Sequence, residues 1–461
     1  MTATPGVAMI GSMSDEPETP SPAPAATHSA APSAAPSAAL SAAAGPEVGP
    51  AGETEAVPVP LRRNWRFQAL WAGGSAANVG VEAAEVAYPL LILALTGSPA
   101  LAGLFGFIQV GTVILAGLPA GVLVDRWDRR RVLLAAEITR VVSIGSIAAA
   151  LYLSAVTVPH LIAVAVVLGA ATAFGAPARM LLVRAVVPNT QLTSALSQEE
   201  ARGAAAALAG PPIGGALFAL SRAYPFVTAA IGFLVSLITV AVAAPSNKPA
   251  AEGDRAGVWS EAPSVFDGVR YLLGHRTIRA ALAMISVFYF SVTAAILVVV
   301  VALQLEGASA GTIGLALSGT ALGMLAGSVL VPRLHRKLTP GRFLIASSTV
   351  MTVAVALLAL PYGPVWVCFL LFVAALPLPA LRVLVDLLIF RQTPDERRGR
   401  AIAATMTIVG VGAPLGSLAG GLALQFTTVA VTVLGLAALQ ALLTIGGLFD
   451  RHLRAARWPA E

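Results

Sequence analysis

Few residues in this chain could do chemistry, and most of those few lie inside apolar stretches. Glu82 and Glu85 stand three positions apart, so on a helix they share a face. Two carboxylates so placed could share a proton and hand it on, or could simply line a polar cavity beside an Arg or Tyr partner. A charge at the centre of a bilayer costs at least ~2.5 to 3.5 kcal/mol, so both need water or a counter-ion. Glu137 and Arg140 have the same spacing in the third apolar stretch, which fits an intrahelical ion pair as well as a transport role. Arg179, Arg184, Glu199, Glu200 and Arg202 gather near the ends of the fourth and fifth stretches, and Arg382 with Asp386 fits a local pair in the tenth. The five histidines, at 28, 160, 275, 335 and 452, fall in predicted tails or loops without metal-ligand spacing, and Cys368 is the single cysteine. Neither a metal centre nor a disulfide is expected. There is no catalytic constellation and no phosphate-cradling loop, so no enzyme, no cofactor and no ATP motor within the chain is expected.

Composition decides what holds these groups. Hydrophobic residues make up 57% of the chain and charged residues 11%, against about 25% charged in soluble domains. The net charge of +6 therefore does not imply nucleic-acid binding, because the basic residues flank apolar spans. Counting stretches of ~20 residues predicts twelve spans, at 67–95, 101–124, 132–153, 161–183, 194–220, 224–244, 280–301, 313–331, 343–360, 365–390, 401–426 and 429–449. Connections after even-numbered spans carry almost all the Arg and Lys, and the opposite connections carry Arg222 alone. By the positive-inside rule both termini are expected in the cytoplasm of a multi-pass plasma (inner) membrane protein. The domains read as a disordered Ala/Pro-rich tail (1–61), a six-helix bundle (62–244), a linker (245–279), a second six-helix bundle (280–449) and a short tail (450–461). Residues 265–273 of the linker have helical apolar spacing and are expected to lie as an amphipathic helix at the membrane surface.

The two bundles look like copies. Arg126, Arg129 and Arg130 recur 207 positions later as Arg333, Arg336 and Lys337, and Pro211 recurs 203 positions later as Pro414. Such offsets predict halves related by an axis along the membrane normal.

The turn after the second span contains Gly121, Asp125, Arg126, Arg129 and Arg130. This resembles the signature loop between helices 2 and 3 of the major facilitator superfamily, G-x-x-x-D-R-x-x-R-R. The fifth span carries Gly210, Pro211, Pro212, Gly214 and Gly215, which resembles the antiporter-type motif of exporters in that superfamily. With Pro177-Ala178-Arg179 and Gly97-Ser98-Pro99, the chain from about 65 to 450 is similar to the efflux branch of enterobactin-exporter-like and macrolide-efflux-like proteins. The resemblance implies an all-α membrane protein with the major facilitator fold, twelve helices in two six-helix bundles. It implies a small-molecule substrate exchanged for protons by alternating access: a monomeric exporter of small amphipathic molecules, with the lipid bilayer as its other partner. An importer on the same fold, or a non-transporting membrane sensor or scaffold, are the alternatives. The family's residue roles carry over as a cytoplasmic gate of Gly121, Asp125, Arg126, Arg129 and Arg130 with Glu200 and Arg202. Gly210 to Gly215 would be the bending segment, and Asp125 would face the start of the helix at Ala401. Two departures stand out: the fourth span has no acidic residue for the family's gate network, and Pro332 replaces the counterpart of Asp125.

Overall fold

The computed structural model describes residues 59–246, 267, 269–360, 362–393 and 395–450. Most of the Ala/Pro-rich tail, most of the linker and the final residues lie outside the described set. So do Val265 and Phe266 of the expected surface helix, although residues 269–274 are helical. Twelve of the described helical segments are long and apolar enough to cross a membrane. They are α1 (Trp65–Thr96), α2 (Pro99–Arg126), α3 (Arg129–Tyr152), α4 (Val158–Val186), α5 (Leu192–Leu220) and α6 (Tyr224–Ala243) in the first bundle. The second contains α7 (Arg276–Leu305), α8 (Ala310–Lys337), α9 (Pro340–Leu357), α10 (Pro364–Ala375 and Leu378–Gln392), α11 (Asp395–Phe426) and α12 (Val429–Phe449).

Local chemistry sets the boundaries. Ser98, Thr157, Ser309 and Thr428 each cap a helix by accepting a backbone N–H of its first turn. Asp128 does the same for α3, so the basic turn is a sharp stop rather than a loop. Gly97 ends α1 at φ 64, a left-handed conformation that suits glycine. Two of the apolar spans do not coincide with single helices of the same bounds. The tenth span is not one continuous helix: it breaks at Leu376 and Pro377, because Pro377 and Pro379 both lack a backbone donor and crowd the preceding turn. The eleventh starts at Asp395 rather than Ala401, so Ala401 stands inside the helix and not at the terminus that Asp125 was expected to face.

The packing repeats. In the first bundle α1 packs on α5, α2 on α4 and α3 on α6; in the second, α7 packs on α11, α8 on α10 and α9 on α12. The bundles meet along α2–α11 and α5–α8. At the end holding the α1–α2 turn that seam is tight. Ser98 donates to Gln425 at 2.7 Å and Ser417 to the Gly103 carbonyl at 3.1 Å. A side chain at Gly314 would strike the backbone of Pro211, so only glycine allows α5 and α8 to approach so closely. Val86 and Leu90 of α1 complete the plug by packing with Val299, Val300, Leu303 and Ile313 of the other half. Toward the opposite end, which holds the α2–α3 turn and is called the basic end below, the seam loosens. There Gly117 and Gly121 are exposed, and a methyl group on either would meet none of the described residues within 4 Å.

Candidate functional site

In the first bundle the ionisable groups at membrane depth sort into two tiers. The first tier is Glu82 and Glu85 on α1, just on the basic side of the plug. Glu82 is half-buried and Glu85 exposed, and Gln109 of α2 donates to Glu85 Oε1 at 2.8 Å. Gly210 of α5 lies directly against Glu82, where any side chain would collide with the Glu82 Cβ, and Gly214 lies against the Ala83 backbone. Gly215, on the other face, abuts Ala310 of α8. The glycines of the 210–215 stretch thus let one helix touch both the carboxylate-bearing α1 and the opposite bundle. Despite Pro211 and Pro212, α5 runs unbroken from Leu192 to Leu220.

The second tier lies toward the basic end, in a cavity of about 450 Å³ inside the first bundle. Its centre is Glu137, whose side chain is fully buried. Glu137 Oε1 accepts from Arg179 Nη2 at 2.7 Å, from Ser236 Oγ at 2.9 Å and, more weakly, from Arg140 Nη1 at 3.5 Å. Arg140 also donates to the Ala171 carbonyl at 3.3 Å and stacks its guanidinium over Phe233, 5.4 Å from the ring centre. Arg179 donates through Nη1 to the Leu70 carbonyl at 3.3 Å. The spacing of Glu137 and Arg140 thus points to a real pair, but the shorter bond comes from α4, which spacing along α3 could not reveal.

The residues carried over as a gate lie on the α2–α3 turn and along α5. Asp125 and Arg126 are exposed at the end of α2. Arg130 Nη2 donates to the Ala241 carbonyl of α6, and Ser246 donates to Asp128 at 2.8 Å, so this turn is tied to its own bundle. Arg129 is half-buried beside it. Arg202 sits elsewhere, against Gly74 of α1 and near Arg179. Its partner is Glu199, at 2.6 Å, whereas Glu200 is exposed. Residues two apart on a helix point in different directions, and residues three apart do not. That spacing alone could have singled out Glu199. Arg184 is exposed and outside the cluster. Arg382 and Asp386 of the second bundle line a smaller cavity of about 280 Å³ with Tyr289, Thr405 and, across the bundle interface, Val110 and Ile114 of α2. The two charges attract each other, as their spacing of four positions on one helix leads one to expect. Among the described residues there is no metal-binding cluster of His, Cys, Asp or Glu.

Comparison with known proteins agrees with this architecture. Residues 56–459 match the family model described as transmembrane secretion effector. No curated protein sequence matches the chain. Among solved structures, a variant of the nucleoside transporter NupG superposes with a TM-score of 0.69 at 11% identity, covering 83% of this chain and 99% of that one. A bacterial homologue of the human lysosomal transporter Spinster, in an inward-facing and unoccupied conformation, gives 0.62 at 15% identity over 85% and 95%. A POT family transporter in complex with a thioalcohol-conjugated peptide gives 0.64 at 11% identity over 84% and 96%. At such identities the likeness concerns the fold. Twelve membrane-spanning helices in two matching halves, and a family match over nearly the whole chain, agree: the protein is a membrane transporter of the major facilitator fold and belongs to the transmembrane secretion effector family.

Proposed function

We propose that the protein is a proton-coupled exporter of small amphipathic molecules, working by alternating access with the basic end in the cytoplasm. The observation that carries this reading is the pair Glu82 and Glu85, set at membrane depth immediately below a plug that seals only one end of the bundle interface. Carboxylates in that position can hold a proton that arrives from the sealed side once the halves rock, and release it to the open side. Substrate loaded from the basic end would leave in the opposite direction. The orientation follows from the excess of Arg at the α2–α3 turn and its counterparts. Gly210, Pro211, Pro212, Gly214 and Gly215 are the rocking contact, since they hold α5 against both α1 and α8. Asp125, Arg126, Arg129 and Arg130 anchor or close the basic end, and Glu137 with Arg140 borders the path.

The test is ΔpH-driven movement of fluorescent amphipathic dyes by purified protein in liposomes. Glu82→Gln is expected to cut the driven rate about a hundredfold or more, the usual scale for losing a proton-transfer group, while dye exchange without a gradient persists. Glu85→Gln should have a smaller effect, because Gln109 already engages that carboxylate. Unchanged ΔpH dependence in both variants would remove the coupling role. Direction is read separately: cells lacking the protein should accumulate more dye, and reduced uptake in those cells would indicate an importer.

A further inference from the structure

In the cavity around Glu137 two buried nitrogens of Arg202 have no acceptor among the described residues, alongside one oxygen each of Glu137 and Glu199 without a donor. Three guanidiniums line it, those of Arg140, Arg179 and Arg202. The carboxylates within its wall are Glu137 and Glu199; Glu200 lines it too, but is exposed at the rim where water screens it. Glu137 is shared between Arg140 and Arg179, and Glu199 binds Arg202 from one side only. The Arg202 side chain is 9% exposed, yet its Nε and Nη1 have no acceptor among the described residues. Its Nη1 lies beside Gly74, and Arg179 Nη1 approaches the same spot, 2.9 Å from where a Cβ of residue 74 would stand. The two guanidiniums converge against Gly74, filling the space a side chain would take, and both line the cavity; arginine forks of this kind bind a planar oxyanion through paired N–H groups. Next to it the wall turns apolar, with Ala77, Val81, Met180 and Phe233.

We infer that this cavity binds the anionic head of the transported molecule: an amphiphile with one carboxylate-like group held by Arg202 and Arg179, its apolar body lying along Val81 and Phe233. The inference rests on the export reading above and adds the substrate class. It also gives the two tiers different tasks. The arginines capture an anion near the basic end. Glu82 and Glu85, eight or more residues further along α1 than Gly74 and so roughly 12 Å deeper, face it with the same sign of charge. Bound anion and ionised carboxylates disfavour each other across that distance, so a proton on the upper tier eases the passage of the anion.

The test uses three probes with one ring system, 1-naphthaleneacetate, 1-naphthaleneacetamide and 1-naphthylmethylammonium, and equilibrium binding to the full chain in nanodiscs. The carboxylate is expected to bind about tenfold or more tighter than the amide, the scale of a charge-assisted contact, and the ammonium no better than the amide. Arg202→Gln should erase that advantage and leave amide binding unchanged. Glu199→Gln/Arg202→Gln should do the same while sparing Glu199 an unpaired buried charge. Gly74→Ala removes no charge, but its methyl group displaces the ends of Arg202 and Arg179, so it too should weaken carboxylate binding selectively. Equal binding of the three probes, preference for the ammonium, no binding of any, or full carboxylate affinity in all three variants would each overturn the inference. Failure of ΔpH-driven transport with carboxylate binding intact would instead sink the coupling reading and leave the anion site standing.

Discussion

Ser236 of α6 and Gln440 of α12 occupy equivalent helices of the two bundles, and both are fully buried polar residues. Ser236 touches an ionic cluster: it bonds to Glu137, which bonds to Arg179 and Arg140. Gln440 touches none. It accepts from Ser291 at 3.2 Å and donates to Ser348 at 2.9 Å, and Ser348 shares a bond of 2.6 Å with Thr444, itself bonded back to the Gln440 carbonyl at 2.9 Å. The same frame is thus filled with charge on one side and with hydroxyls and an amide on the other. A neutral network of this kind satisfies its own members and asks for nothing more. A buried ionic one carries a large desolvation cost that only its full set of partners offsets, so it persists where charge is used or where the partners are well fixed. The inequality between halves is where the molecule departs from its own repeat.

The sharpest way to break that comparison is to remove one charge from the ionic side. Arg179→Gln leaves Glu137 in a fully buried position with only the 3.5 Å contact from Arg140 and the bond from Ser236. Uncompensated buried charges cost about 3 to 5 kcal/mol, so this variant should show the largest fall in thermal unfolding temperature in detergent. The double variant Glu137→Gln/Arg179→Gln makes the site neutral, as in the other bundle, and should recover most of that loss. A double variant as unstable as the single one would mean that hydrogen-bond geometry, and not charge balance, holds the cluster.

What the chain discloses before it is folded follows the same division. Apolar length and Arg placement are properties of the string, so the twelve spans and the two halves could be read directly, and the repeat of Arg126 as Arg333 marked the duplication. Spacing along one helix also identified Glu82 with Glu85 and Glu137 with Arg140. It does not say how a helix is rotated against its neighbours. Arg179 reaches Glu137 across α3 and α4, and Gln109 reaches Glu85 across α1 and α2; neither pairing leaves a trace at a fixed offset. The pairing of Glu199 with Arg202 is a different case, since the spacing of three positions along one helix already contained it. The break in α10 was written in Pro377 and Pro379, but prolines inside α1, α2 and α5 leave those helices continuous. A proline in a membrane helix is therefore a weak marker unless its neighbours are known.

A milder test strikes the neutral side. Gln440→Leu removes two side-chain bonds, those with Ser291 and Ser348. Hydrogen bonds between membrane helices average about 0.6 kcal/mol, so the expected loss is about 1 kcal/mol, well below that of Arg179→Gln. Dye transport per folded molecule should stay within about twofold, because no charge changes. A loss as large as that of Arg179→Gln would erase the distinction between the halves.

The smallest expected effect sharpens the same point by locating the edge of the neutral network. Thr352 shares only a 3.5 Å contact with Thr444, and its hydroxyl otherwise bonds back to the Ser348 carbonyl one turn earlier in its own helix. That second bond shares a carbonyl already used by the helix, so losing it leaves no buried backbone group unpaired. Thr352→Val keeps the branched shape and deletes the hydroxyl. The unfolding temperature should therefore move by no more than about 0.5 kcal/mol is worth, whereas Ser236→Ala, which takes a donor away from a charged acceptor, should cost about 1.5 to 3 kcal/mol. Measured side by side, the two hydroxyl deletions ask whether a bond is worth more because it is buried or because it serves a charge. Equal losses would favour burial alone, and a loss confined to Ser236→Ala would assign the difference to Glu137.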